Sequence, residues 1–268
     1  MLELLVPVAF SVFAWWFATG LVLLLDGMPS TTFRWSILIS SVVAVAAFWG
    51  LAHTASEASV VNAYYAFSCA LLIWGWHELT FLTGWLTGPR RLACTEPHGW
   101  RRFKQAVAVI IWHELAILAS VIIIIGLTRN GANQIGTLTF LVLWAMRISA
   151  KLNLYFGVRN LSEEFLPTHL SYMASYFRRR AMNAFFPFSV LAACVILAAL
   201  ATLVTNVDVM RADSVGFLLV ATMLAMAILE HFLLVLPLPS TALWRWALRG
   251  RSPPPPVIAG AATDTAGN

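Results

Sequence analysis

The sequence predicts an all-α fold: a polytopic integral membrane helical bundle of about seven transmembrane helices, with the N-terminus periplasmic and the C-terminus cytoplasmic. Three observations predict it. Of 268 residues, 60% are hydrophobic and only 11% charged, more apolar surface than a soluble domain hides. The residues come in mostly apolar runs of about 20, the length needed to cross the hydrocarbon core. The basic residues gather in alternate connections, the bias that orients membrane proteins.

The first run, about 3–25, begins MLELLVPVAF with Glu3 as its only charge. It lacks a basic leader and is too long for a signal-peptide core, so it reads as a retained helix. The others are about 35–54, 60–83, 105–127, 134–156, 185–205 and 214–236. The third and fifth are less uniform, because they carry His77, Glu78, Arg147 and Lys151. The count leaves room for a re-entrant segment. Pro237 and Pro239 should end the seventh helix.

One side of the predicted bundle collects Arg34, Arg90, Arg91, Arg101, Arg102, Lys104, Arg159, Arg178, Arg179, Arg180, Arg245, Arg249 and Arg251. The other has Arg129 and Arg211 against Glu57, Asp208 and Asp213. The basic side is expected to be cytoplasmic. Both long connections, 84–104 and 157–184, lie there. The second is amphipathic enough for one or two interfacial helices, with Tyr172, Tyr176 and Phe177 toward lipid or protein. Residues 1–249 form the transmembrane domain, and the Pro-rich 250–268 are expected to be a disordered cytoplasmic tail.

The net charge of +5 serves orientation, and no nucleic-acid motif accompanies it. Cys69, Cys94 and Cys194 form no CxxC pair and no disulfide framework. The expected contact is membrane lipid, with no nucleic-acid partner.

The chemistry-bearing residues are three His–Glu neighbours in apolar runs: His77 and Glu78 in WGWHELTFL, His113 and Glu114 in IIWHELAIL, and Glu230 and His231 in AILEHFLLVLPLP. Ionisable groups inside a bilayer are costly and face a bundle interior or a cavity. At 1.5 Å per residue these groups, with Arg147 and Lys151, fall roughly 8 to 16 Å from the cytoplasmic boundary. Neighbours on a helix differ by about 100°, so His and Glu of one pair point apart. Arg147 and Lys151 are i, i+4 on one face and are the expected charge partners of two glutamates. Glu163, Glu164 and His169 could cover the cluster from the adjacent loop.

Four readings remain open for this cluster. The groups can be interhelical polar glue. They can be a candidate metal site for iron or another transition metal, with His77, Glu78, His113, Glu114, Glu164, His169, Glu230 and His231 as the ligand set. His77, His113 and His231 can be cofactor-binding, as axial ligands of a transiently bound tetrapyrrole. Last, the cluster can form a proton or ion path. HExxH is not satisfied, because Phe81 and Ile117 occupy the second histidine positions. Catalytic residues are not identifiable from such a pattern.

The segments WGWHELTFLTGWLTGPR, IIWHELAIL, LWAMRISAKLNLYFGVRNLSEEFLPTHLSYMASYF and LEHFLLVLPLPSTALWRW resemble the photosynthetic complex assembly protein (PuhE) family, found beside the reaction-centre genes of purple phototrophic bacteria. The resemblance covers about residues 1–249. It implies a multi-pass protein of the bacterial inner (cytoplasmic or intracytoplasmic) membrane, involved in assembly of the photosynthetic reaction centre and light-harvesting complex or in bacteriochlorophyll supply. Implied partners are reaction-centre or light-harvesting subunits and pigment. The aromatic faces carrying Trp15, Trp16, Trp74 and Trp76 are a candidate docking surface, though packing is their more common use. The alternative from the residues alone is a metal-dependent membrane oxidoreductase or hydroxylase acting on a lipid-soluble tetrapyrrole or carotenoid.

Overall fold

The computed structural model describes residues 2–205, 211–236 and 240–248. Seven long helices run α1 (Leu2–Asp26), α2 (Phe33–Thr54), α3 (Val60–Leu82), α4 (Gly99–Thr128), α5 (Ile135–Phe156), α6 (Phe185–Thr205) and α7 (Arg211–Leu233), followed by a short α8 (Arg245–Leu248). No strand occurs among the described residues. The predicted tail, 250–268, and the prolines after α7 lie outside them.

Six of the long helices are both long and apolar enough to cross a membrane. The seventh, α3, is long enough but carries Asn62, Tyr64, Tyr65, His77 and Glu78. Its position explains why this composition is tolerated. It packs against α1, α2, α4, α5 and α7, so much of its surface meets protein rather than lipid. Ala63, Ala66, Phe67, Ala70, Ile73 and His77 on α3 are at most 3% exposed. By contrast, α2 presents Trp35, Leu38, Ile39, Val42, Val45 and Trp49 outward, all more than half exposed. That i, i+3, i+4, i+7 stripe is what a bundle offers to acyl chains.

Helix ends are set by local polar chemistry. The Ser59 hydroxyl accepts the Asn62 N–H at 3.2 Å and starts α3. The Asn183 carboxamide oxygen accepts the Phe185 and Phe186 N–H groups at 2.9 and 3.0 Å and starts α6. Asn133 donates to the carbonyls of Thr54 and Asn62, tying the α2–α3 turn to the start of α5. In lipid such backbone groups would otherwise have no partner.

The two long connections differ from expectation. The helix predicted to begin at 105 begins at Gly99. The segment before it folds back along α4, burying Thr87 and Gly88 while much of the rest stays exposed. Leu86 N–H bonds Thr80 O at 2.9 Å, Arg90 N–H bonds Ala108 O at 3.2 Å, and His113 N–H reaches Thr87 O at 3.0 Å. Irregular backbone is admissible at this depth because it is enclosed by protein, with Thr87 at 2% exposure. Gly88 is required here: a Cβ on it would lie 2.2 Å from Ala108 O.

The second connection, where the sequence predicts one or two interfacial helices, forms two short 3-10 helices at Glu163–Phe165 and Thr168–Tyr176. Its aromatic residues face protein. Tyr176 is buried, accepts from Arg90 Nε at 2.8 Å and donates to Leu92 O at 3.0 Å. Arg102, expected in a loop, is 3% exposed and donates to Tyr176 O at 2.7 Å. Burial raises the Tyr172 phenol above its ordinary value.

Candidate functional site

All three histidines of the paired motifs are buried, but they do not meet at one point. His77 on α3 and His113 on α4 are both 0% exposed, and their rings lie edge to face with centroids 6.2 Å apart. His77 Nε2 pairs with Ser120 Oγ at 2.8 Å. His113 is packed against Phe81, centroids 4.5 Å apart, and neither of its ring nitrogens has a hydrogen-bond partner. His231 on α7 has other neighbours. Its Nδ1 lies 2.8 Å from Ala227 O and its Nε2 2.9 Å from Ser149 Oγ. A carbonyl only accepts, so this geometry assigns the proton to Nδ1 and the lone pair to Nε2, which accepts from Ser149.

Each glutamate points away from its neighbouring histidine, as the 100° step requires. Glu78 Oε2 pairs with Arg147 Nη2 at 2.7 Å, and Glu114 Oε1 with Lys151 Nζ at 2.5 Å. Trp144 Nε1 also donates to Glu114, at 3.3 Å. Glu230 accepts from Trp15 Nε1 at 2.8 Å. Lys151 Nζ lies 5.6 Å from the centroid of the Phe81 ring, a cation–π distance.

The loop residues stand apart. Glu163 makes only a long ion pair to Arg179, 3.7 Å. Glu164 is exposed. His169 is exposed and its Nε2 donates to Leu82 O at 2.8 Å. Among the described residues, no three His, Cys, Asp or Glu side chains group as the ligands of one metal ion. The donor set named from the sequence is divided between an imidazole pair, two ion pairs, the buried His231 with its Ala227 and Ser149 contacts, and separate contacts of Glu230 and the loop residues.

What the helices do enclose is a cavity of about 400 Å³ at the basic end of the bundle. Its walls come from α1, α3, α4, α5 and α7 and from the turns at Leu161–Phe177 and Trp244. Its lining is mostly aliphatic, with Trp15, Trp74, Phe81, Tyr155 and Trp244 among the aromatic side chains. Glu78, Arg147, Lys151, Glu230 and His231 also line it, whereas His77 and His113 do not. Two wall atoms are buried without a partner, Glu78 Oε1 and Arg147 Nε. One accepts and the other donates. The volume is that of a small-molecule site, apolar with a few convergent polar groups.

Sequence reasoning missed Trp15, Ser149, Trp144 and Ser120 as partners of the cluster. Trp15 and Glu230 are 215 positions apart, and a tryptophan or serine in an apolar run carries no pairing signal. The tryptophans considered as a docking face are half-buried. Trp16 donates to Leu243 O, Trp76 to Ser41 Oγ, and Trp74 packs on Phe140. All three described cysteines are free.

Comparison with known proteins follows the same lines. The family described as "Protein of unknown function (DUF3623)" matches residues 1–254. The chain is 34% identical, over 93% of its length and 92% of the relative's, to the "Uncharacterized 30.4 kDa protein in puhA 5'region" of Rhodobacter capsulatus. No solved structure matches. A match over nearly the whole length, together with a relative that similar, shows that this multi-pass helical chain belongs to the DUF3623 family.

Proposed function

We propose that this protein is an inner-membrane factor for assembly of the photosynthetic reaction centre and light-harvesting complex, and that its cavity holds a lipid-soluble tetrapyrrole of the bacteriochlorophyll class during that process. The setting is supported by the sequence resemblance and by the relative's printed location in the puhA 5' region. The single observation that carries the ligand is the apolar cavity of about 400 Å³, partly walled by aromatic rings, with His231 on its wall.

The residues suit such a group. A magnesium tetrapyrrole takes one axial donor, and a neutral imidazole Nε2 is a common metal ligand. The Ala227 carbonyl holds the His231 proton on Nδ1, leaving the Nε2 lone pair toward Ser149. Access of a metal to that lone pair would require the Ser149 side chain to turn its Oγ away from Nε2. The aromatic wall suits a flat macrocycle, and the unpartnered Arg147 Nε and Glu78 Oε1 suit peripheral carbonyl and N–H or O–H groups. The alternative, a metal-dependent oxidoreductase, draws no support from the dispersed donor set.

The test is the absorption spectrum of the detergent-purified protein from a phototrophic host. A tetrapyrrole band that disappears in His231→Ala, with helical content retained, is expected. A colourless wild-type protein would overturn the ligand. Normal photosynthetic complexes in a strain lacking the chain would overturn the assembly role.

A further inference from the structure

A second concavity, open and of about 660 Å³, lies between residues 89–92 and the face of α4 at Lys104, Gln105 and Ala108. It shares no lining residue with the aromatic cavity. Three cations surround it: Arg90, Arg91 and Lys104. Among the described residues, none of the three has a carboxylate within ion-pair distance.

The site is built rather than left to loose side chains. Arg90 is anchored by Nε to Tyr176 OH at 2.8 Å and by Nη2 to Ala93 O at 2.9 Å. Arg91 Nη2 donates to Gly84 O at 3.1 Å. Gln105 is held by two bonds to Thr95, at 2.8 and 3.1 Å. Lys104 Nζ sits 5.7 Å from the centroid of the Trp100 ring. Its ammonium is otherwise uncommitted among the described contacts. Orienting two guanidinium groups by backbone and phenol bonds lowers the entropy cost of binding an anion.

The surroundings choose the source of the anion. Leu92 and Trp100 are 65% and 66% exposed, and they flank the groove where α4 enters its apolar run. Exposed tryptophan beside cations at the end of a spanning helix marks the headgroup level of a bilayer. We infer that this groove binds the phosphate of an anionic membrane phospholipid, with Arg91 and Lys104 facing the headgroup and Leu92 and Trp100 against its acyl chains. A bound lipid would clasp the folded-back segment 83–98 to α4. The segment already depends on a few backbone bonds for that contact.

The test uses the full-length protein in zwitterionic detergent, titrated with phosphatidylglycerol, with phosphatidylcholine of the same chains, and with inorganic phosphate. Binding is read by native mass spectrometry. Each juxtamembrane cation should contribute about fivefold, so Lys104→Gln should weaken phosphatidylglycerol binding about fivefold and Arg91→Gln with Lys104→Gln roughly twenty-five-fold. Lys104→Gln removes no hydrogen bond, so its effect does not depend on refolding of the segment. Phosphatidylcholine binding should not change. Equal affinity of wild type and both variants for phosphatidylglycerol would overturn the site. So would an equal loss in Arg179→Gln with Arg180→Gln, which would make the attraction diffuse. Displacement of the lipid by inorganic phosphate would make it a site for a soluble anion.

Discussion

Lys151 Nζ lies 2.5 Å from Glu114 Oε1, joining α5 to α4 at the depth where the aromatic cavity begins. Both side chains are 20% exposed. Four residues earlier on the same helical face, Arg147 makes the matching bond to Glu78 of α3. Two cations on one stripe of α5 therefore hold two different helices.

Removing one member of the inner pair should cost more than removing both. Lys151→Met leaves the Glu114 carboxylate in an apolar bundle and should destabilise by about 3 kcal/mol. Lys151→Met combined with Glu114→Gln should recover at least about 1 kcal/mol of that loss. Detergent unfolding curves of the two single variants and the double variant measure the coupling. Additive losses would show that the pair contributes nothing as a pair.

Gly88→Ala should damage the fold, because its Cβ would meet Ala108 O at 2.2 Å, a backbone atom of α4 that cannot swing aside. A loss of about 2–3 kcal/mol is expected. Gly126→Ala is the control, since a Cβ there meets nothing within 4 Å and alanine favours helix. Thermal unfolding of both variants should separate them by several degrees, with Gly126→Ala at or above wild type.

His113 should be replaceable by phenylalanine. Its ring is wholly buried, packs on Phe81, and has two unpartnered nitrogens. Such a buried polar group costs about 1–3 kcal/mol, so His113→Phe should match or exceed wild-type stability. His231→Phe should lose about 1–2 kcal/mol, because it breaks bonds to Ala227 and Ser149. A collapse of His113→Phe alone would mean that the imidazole holds a group of its own.

Filling the aromatic cavity should block its ligand without unfolding the bundle. Ala150 lines the cavity on α5 and is only half-buried, so Ala150→Phe projects a ring into existing space. The expected outcome is loss of the tetrapyrrole band at a melting temperature within a few degrees of wild type. A retained band at full intensity would place the pigment elsewhere.

Much of the architecture was legible in the chain itself, for a reason particular to membranes. Lipid offers no hydrogen-bond partner, so a segment of about 20 mostly apolar residues spans as a helix, which satisfies its own backbone. That constraint is local, and composition alone locates six of the long helices, with α3 the less uniform seventh. The same locality shows Arg147 and Lys151 on one face, and each glutamate turned from its neighbouring histidine. The folded-back segment 83–98 was not legible, because its backbone is satisfied by α4 rather than by itself. Nor was the outcome at the three histidines. Depth along a helix follows from counting residues, but the direction a side chain faces depends on how its helix is rotated against its neighbours. That rotation separates His231 from the His77–His113 pair and brings Trp15 to Glu230 across 215 positions. It also opens a cavity between five helices that no single run of the sequence encodes.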